Sequence, residues 1–240
     1  MYQLKHGLLF FNHSAKKTQF LPSMLRANQL TLHRTLQHPL NIELFNGTLS
    51  PEIFGRYLRD DYFYLHHFPF ALKRLSAKTV KINPNLSTLL HYMAEDIIGG
   101  ELRMQEEYIV HLKDIEHFTP GPAISSYVAF LSEITSQAEV AEGFCGILPC
   151  FKIYHDLGKM HTNSPLLHSN PYKKWIKTYS SPDFIRVTQQ LCEAVNSLGN
   201  KATPELRARM RIAFASAVQH ELDFFDEAYY SKQHFQLVKY

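Results

Sequence analysis

Apolar positions along the 240-residue chain recur in alternating steps of three and four, and the strict alternation that marks strands is nearly absent. The clearest seam is Phe54, Leu58, Asp61, Leu65, Phe68 and Leu72, which predicts a helix over residues 51–77. Ser50 and Pro51 suit its N-cap and first helical position, and Gly47 suits the end of a preceding helix, expected over 30–45 with Pro39 as an internal disturbance. A third helix is expected over 84–112, loosened near Gly99-Gly100, and others over 122–136, 138–162, 171–179, 182–198 and 204–230. Asn170-Pro171 and Ser181-Pro182 each place a capping residue before a proline. No repeat, low-complexity tract or linker divides the pattern. The expectation is an all-α, single-domain helical bundle over 27–240, with residues 1–26 as a loosely specified extension.

Composition narrows the class of function more than the fold. A formal charge of +3, with basic residues scattered in short pairs such as Lys16-Lys17 and Lys173-Lys174, argues against a nucleic-acid partner. No apolar run approaches the roughly 18 residues of a membrane span, and Gly7–Phe11 is too short for a signal-peptide core, so no membrane partner is expected. Cys145, Cys150 and Cys192 form no C-x-x-C motif and no even set, which fits a reducing, cytoplasmic compartment. The chain holds 13 tyrosines and 17 phenylalanines against one tryptophan, a surplus that suits a core or a pocket for a flat ring.

Three residues break the pattern. Asp61 occupies a seam position whose neighbours are apolar; an unpaired buried carboxylate is costly, so it either pairs with a buried group or faces a ligand. Asp60, four residues after Arg56, reads as one half of a surface ion pair. Cys150 follows Leu148-Pro149: if Pro149 starts a helix, the dipole favours a thiolate, and if it lies within one, it kinks the chain beside a pocket. Glu221 lies among Phe214, Val218, Phe224 and Phe225, where burial would hold its proton or an arginine or lysine would pair with it. Tyr64 shares a face with Asp61, Tyr154 follows Cys150 by one turn, Tyr127 sits on a seam with Ile124, Leu131 and Ile134, and Tyr179 ends a short helix four residues after Trp175. Each tyrosine alone suits a core. Together the set offers two carboxylates, one thiol and hydroxyls on inward faces, a kit for nucleophilic and acid–base chemistry.

The same segments, in order, resemble the TenA (thiaminase II) family over about residues 26–232. His38-Pro39 through Gly47-Thr48-Leu49 resembles its opening helix and turn, and Tyr57–Leu65 its aspartate helix. Leu148-Pro149-Cys150-Phe151-Lys152-Ile153-Tyr154 resembles its cysteine motif, Trp175–Ser180 its short tyrosine helix, and Glu221–Tyr229 its terminal glutamate helix. The resemblance implies a haem-oxygenase-like bundle, a homotetramer, and no cofactor or metal. It implies hydrolysis of thiamine, or of an aminomethyl-aminopyrimidine in thiamine salvage, to hydroxymethyl-aminopyrimidine. Cys150 would then be the nucleophile and Glu221 the acid and base that protonates ring nitrogen and leaving group. Tyr64 would help activate the cysteine, Asp61 would receive the exocyclic amine and adjacent ring nitrogen, Tyr154 and Tyr179 would hydrogen-bond the substrate, and Tyr127 would complete the wall. Lys152, Phe225, Gln219-His220 and Gln105 depart from the family's usual residues.

Two other readings compete. A same-fold metal- or haem-binding oxidoreductase would be expected to carry Glu-x-x-His spacing for a di-metal centre, which the chain lacks; His91/Glu95 and Glu107/His111 are the nearest approaches. A non-catalytic pyrimidine-binding or regulatory protein would need no thiol, and no basic recognition helix supports a DNA-binding version of it.

Overall fold

The computed structural model describes residues 19–109, 119–161 and 165–231. Within them the regular elements are all helical: α1 Phe20–Ala27, α2 Gln29–Leu36, α3 Pro39–Asn46, α4 Pro51–Thr79, α5 Pro84–Asp96, α6 Leu102–Ile109, α7 Pro122–Ser136, α8 Val140–His161, α9 Lys173–Tyr179, α10 Pro182–Lys201 and α11 Pro204–Tyr230, with a π-turn over Ile97–Glu101 and a short 3₁₀ turn over Pro165–His168. Proline opens six of these helices (α3, α4, α5, α7, α10 and α11), because its missing N–H falls where a helix has no acceptor for it. Ser50, Asn83, Ser181 and Thr203 cap four of them by accepting the backbone N–H three residues on.

Three expectations change. Pro39 does not disturb one helix over 30–45 but divides two. Nδ1 of His38 accepts Leu40 N–H at 3.1 Å as the N-cap of α3, and its Nε2 meets Asp226 at 3.1 Å. Asn170 does not cap a helix at Pro171. Its amide donates to the carbonyls of Leu44 and Phe45 while its Oδ1 accepts Tyr172 N–H, and α9 starts at Lys173. Within the expected extension, α1 buries Phe20, Leu21 and Met24 against α10, so this stretch belongs to the packed body; residues 1–18 lie outside the described residues, as do 110–112 of the expected third helix.

α8 lies at the centre, packed most broadly against α11 and also against α10, while α4 packs on α5 and α7. Leu58, Leu65 and Leu72 of α4, Ile147 and Ile153 of α8, and Phe214 and Val218 of α11 are essentially inaccessible. Among the described residues no helix is long and apolar enough to cross a membrane. Two features of α8 position the site. Pro149 lies inside it, so the carbonyl one turn earlier loses its intrahelical donor beside Cys150. Gly158 lets the backbone of α9 come close: a Cβ there would sit 2.4 Å from the Tyr179 carbonyl oxygen.

Candidate active site

Inward-facing polar groups from five helices meet in one chamber with two adjoining lobes. One lobe is lined by Asp61, Glu101, Cys150, Tyr154, Tyr179 and Phe184 among others. The second is lined by Tyr127, Ile124, Phe224 and Glu221. Asp61, Tyr64, Cys150 and Tyr154 line both. All seven residues expected from sequence therefore face the same space.

Asp61 both pairs and faces the chamber. Its Oδ2 accepts from the Tyr57 hydroxyl at 3.1 Å and from the Gln105 amide. Tyr57 has one proton to give; with that proton on Asp61, Tyr154, 3.0 Å away, is the donor to Tyr57. Burial pushes the Asp61 carboxyl well above the usual range, and the carboxylate of Glu101 adds to the rise.

Among the described residues no arginine or lysine pairs with Glu221, so the ion-pair alternative is not realised there. Tyr127 donates to its Oε1 at 2.8 Å. Burial raises its carboxyl to about 8, against the opposing effect of that hydrogen bond. At neutral pH Glu221 therefore carries a proton.

Cys150 lies within α8, so the helix N-terminus reading fails: the dipole of a helix end is not available to it. Burial holds its thiol well above the ordinary cysteine range, with the Glu221 carboxylate adding to the effect and the Tyr64 hydroxyl opposing it. The resting group is a thiol. Tyr64 Oη completes no regular hydrogen bond of its own and stands beside the sulfur, ready to donate as charge forms there. Cys145 is sealed in the core, and burial lifts Cys192 to about 11.

The structure adds three residues to the set read from sequence. Tyr57 and Gln105 hold Asp61, and Glu101 accepts the Tyr179 hydroxyl. A signal for Glu101 and Gln105 existed: Leu90, Ala94, Ile97, Glu101 and Gln105 continue one seam in steps of four and three. Asp60 does not pair with Arg56. It is buried and accepts Gly121 N–H at 2.9 Å, while Arg56 binds Glu52 and the carbonyls of Ala228 and Tyr229.

Of the family departures, Gln105 holds Asp61, and the others fall at the edge of the site. Lys152 is held by Asp156. Phe225 packs behind Tyr154, ring centroids 6.1 Å apart, and His220 stacks on Tyr127 at 5.1 Å and 10°. Glu95 pairs with Lys73 at 2.8 Å and Glu107 pairs with Lys174, while His111 lies outside the described residues. Among the described residues no three His, Cys, Asp or Glu side chains are grouped to hold a metal ion.

Comparison with known proteins agrees with this architecture. Residues 24–231 match the model of the TENA/THI-4/PQQC family. The chain is 26% identical over 200 residues to the aminopyrimidine aminohydrolase of Bacillus subtilis (strain 168), covering 80% of this chain and 82% of that one. A TenA homologue from Pyrococcus furiosus superposes with a TM-score of 0.77 at 25% identity, over 88% of this chain and all (100%) of that one. A Shewanella denitrificans domain with a heme oxygenase-like fold superposes with a TM-score of 0.67 at 12% identity, over 87% of this chain and 91% of that one, a likeness of fold alone. With the family's model spanning nearly the whole described chain, this protein belongs to the TENA/THI-4/PQQC family, as a TenA (thiaminase II)-type member with the all-α, single-domain, haem-oxygenase-like fold.

Proposed function

We propose that the protein hydrolyses the C–N bond on the methylene carbon of an aminomethyl-aminopyrimidine, giving hydroxymethyl-aminopyrimidine and ammonia, in thiamine salvage. The observation that carries this reading is the convergence of the Cys150 thiol, a protonated Glu221 and Asp61 on one aromatic-walled chamber. A flat heterocycle suits walls of tyrosine and phenylalanine. The name of the B. subtilis relative points to the same substrate class.

In this reading a protonated Asp61 presents a donor and an acceptor side by side, which match the ring nitrogen and exocyclic amine of an aminopyrimidine. Glu221 gives its proton to a ring nitrogen and takes the thiol proton as the Cys150 sulfur bonds to a ring carbon, so the S–H adds across the ring. Tyr64 steadies the sulfur while its charge is greatest. The methylene C–N bond then breaks with its electron pair going to nitrogen, and the ammonium form departs as ammonia. Water bonds to the methylene carbon and gives a proton to the released ammonia, which leaves as ammonium, while Glu221 keeps the proton it took from the thiol. The sulfur leaves with the ring's added proton, restoring the aromatic ring and the thiol.

The test is direct: incubate the protein with aminomethyl-aminopyrimidine and with thiamine, and separate the products by chromatography. Formation of hydroxymethyl-aminopyrimidine from the first supports the reading. Intact substrates after prolonged incubation with folded protein overturn it.

A further inference from the structure

A third carboxylate shares the chamber, and the chemistry above does not use it. Glu101 closes the π-turn Ile97–Glu101, where Gly99 has open space around it and Gly100 meets only the end of Asp96. A π-turn inserts an extra residue into a helix, weakens its hydrogen bonding and recurs at functional sites. Here it carries Glu101 to the lobe lined by Asp61, Cys150 and Tyr179. Tyr179 donates its hydroxyl to Oε1 of Glu101.

The lobe is short of positive charge. Among the described residues no lysine, arginine or histidine lines either part of the chamber. The charges acting on these carboxyls are other carboxylates: Asp96 on Glu101, and Glu101 and Glu221 on Asp61. The three do not converge as ligands of a single metal ion. A hydroxyl without a regular hydrogen bond, that of the 3%-exposed Tyr64, also faces this space. Such a chamber is built for a ligand that brings a positive charge and polar hydrogens with it. The aminomethyl substrate has both, because an aliphatic primary amine is an ammonium at neutral pH. The hydroxymethyl product has neither charge nor the extra N–H groups.

We infer that Glu101 is the charge-recognition residue of the site: its carboxylate receives the ammonium group of the aminomethyl substrate and thereby favours substrate over the neutral alcohol product. This rests on the function proposed above and names what in the chain selects that substrate. Burial raises both glutamates of the chamber, Glu101 to about 7 and Glu221 to about 8, but Glu101 lies in the lobe with Tyr179 and Glu221 in the other with Tyr127. The division of labour follows: Glu101 supplies negative charge and Glu221 supplies a proton. Because the leaving nitrogen enters already protonated, Glu221 has only the ring proton to give. A role confined to holding Tyr179 would not need a charge, since a glutamine oxygen accepts a hydroxyl equally well.

The experiment uses calorimetric titration of the full-length Cys150→Ser protein, in which turnover is blocked, with aminomethyl-aminopyrimidine and with hydroxymethyl-aminopyrimidine at pH 7.5. The expected result is a preference of about tenfold or more for the amine. Adding Glu101→Gln should bring the ratio of dissociation constants near one while leaving the alcohol's affinity within about threefold, a size that stands well below the tenfold effect. Glu101→Asp should restore part of the preference, and Tyr179→Phe should keep it. Retained preference in Glu101→Gln overturns the inference. So does equal weakening of both ligands, or loss of preference in Tyr179→Phe with Glu101 present, because either result makes Glu101 a support for Tyr179. If neither pyrimidine binds the protein with Glu101 intact, the proposed function falls and this inference with it; binding without preference removes only the inference.

Discussion

Tyr127 donates its hydroxyl to Oε1 of Glu221 at 2.8 Å, tying α7 to α11 across the chamber. That bond favours the carboxylate, while burial, the larger effect, favours the acid and sets it near 8. A general acid works while protonated, so kcat/KM should fall as pH rises through about 8. Tyr127→Phe removes the opposing hydrogen bond and should move that alkaline limb upward, by about half a unit to one unit. Glu221→Gln should lower kcat by about 10²–10⁴, the range for loss of a general acid–base. Steady-state rates across pH 6–10 check both, and an unmoved limb in Tyr127→Phe would assign it to another group.

Cys150→Ser should abolish product formation with little change in melting temperature, because a hydroxyl is a far weaker nucleophile at a closely similar size. Cys145 is fully enclosed and Cys192 stands away from the chamber's walls, so their serine variants should turn over substrate. Cys145→Ser should cost stability, on the order of 1 kcal/mol, by burying a hydroxyl in place of a thiol. Parallel product assays and melts separate the three. Activity in Cys150→Ser equal to the parent's would remove the covalent step.

The helices and most of the chamber were legible because their signals are local. Proline after a capping residue marks helix starts at Ser50-Pro51, Asn83-Pro84, Ser181-Pro182 and Thr203-Pro204, though not at Asn170-Pro171, and Asp61 and Glu221 stand out on apolar seams. Pro39 shows the limit: a proline within a plausible seam reads as a kink or as a new start, and what decides is His38, whose capping role depends on contact with Asp226 far along the chain. Pro149 resolves the opposite way, because the packing of α8 against α10 and α11 holds one helix through it. Glu101 was hidden by its surroundings in sequence. Its position continues the seam of Leu90, Ala94 and Ile97, but Glu101-Leu-Arg-Met-Gln-Glu-Glu, rich in charge, reads as a solvated face. Asp60 failed for a related reason: its partner, the Gly121 backbone, carries no side-chain signal.

Stability should depend on pH with a sign set by the buried glutamate. A carboxyl near 8 in the folded protein and near 4.5 when unfolded binds its proton more tightly in the folded state. Its stabilising contribution is complete below about 4.5 and is lost progressively as pH rises through about 8. Glu221→Gln removes this dependence. The variant should therefore gain on the parent between pH 5 and pH 8.5, by an amount on the order of 3 kcal/mol. Urea midpoints at the two pH values measure it. Parallel pH profiles for the two proteins would show that Glu221 keeps an ordinary carboxyl.

Gly158 tests whether the close approach of α8 and α9 is what places Tyr179. A Cβ at residue 158 would meet the Tyr179 carbonyl oxygen at 2.4 Å, its carbon at 2.7 Å and Ser180 N at 3.0 Å. These are backbone atoms, so rotation of a side chain brings no relief and α9 must move. Tyr179 lies with its ring 4.7 Å from Tyr154 and 4.5 Å from Trp175, and its hydroxyl on Glu101, so displacement of α9 withdraws one wall of the chamber and a hydrogen bond from Glu101. Gly158→Ala should cost about 1–3 kcal/mol, typical of overpacking. For a chain of this size that is a melting temperature lower by roughly 3–10 °C. KM should rise more than kcat falls, because Cys150 and Glu221 lie on α8 and α11 and keep their places. Gly99→Ala is the matched control for adding a methyl group to a helical glycine: no atom lies within 4 Å of its Cβ, and its melting temperature should hold or rise. If Gly158→Ala melts with the parent and keeps its KM, the bundle absorbs the methyl group by a shift elsewhere, and contact between α8 and α9 is not what fixes Tyr179.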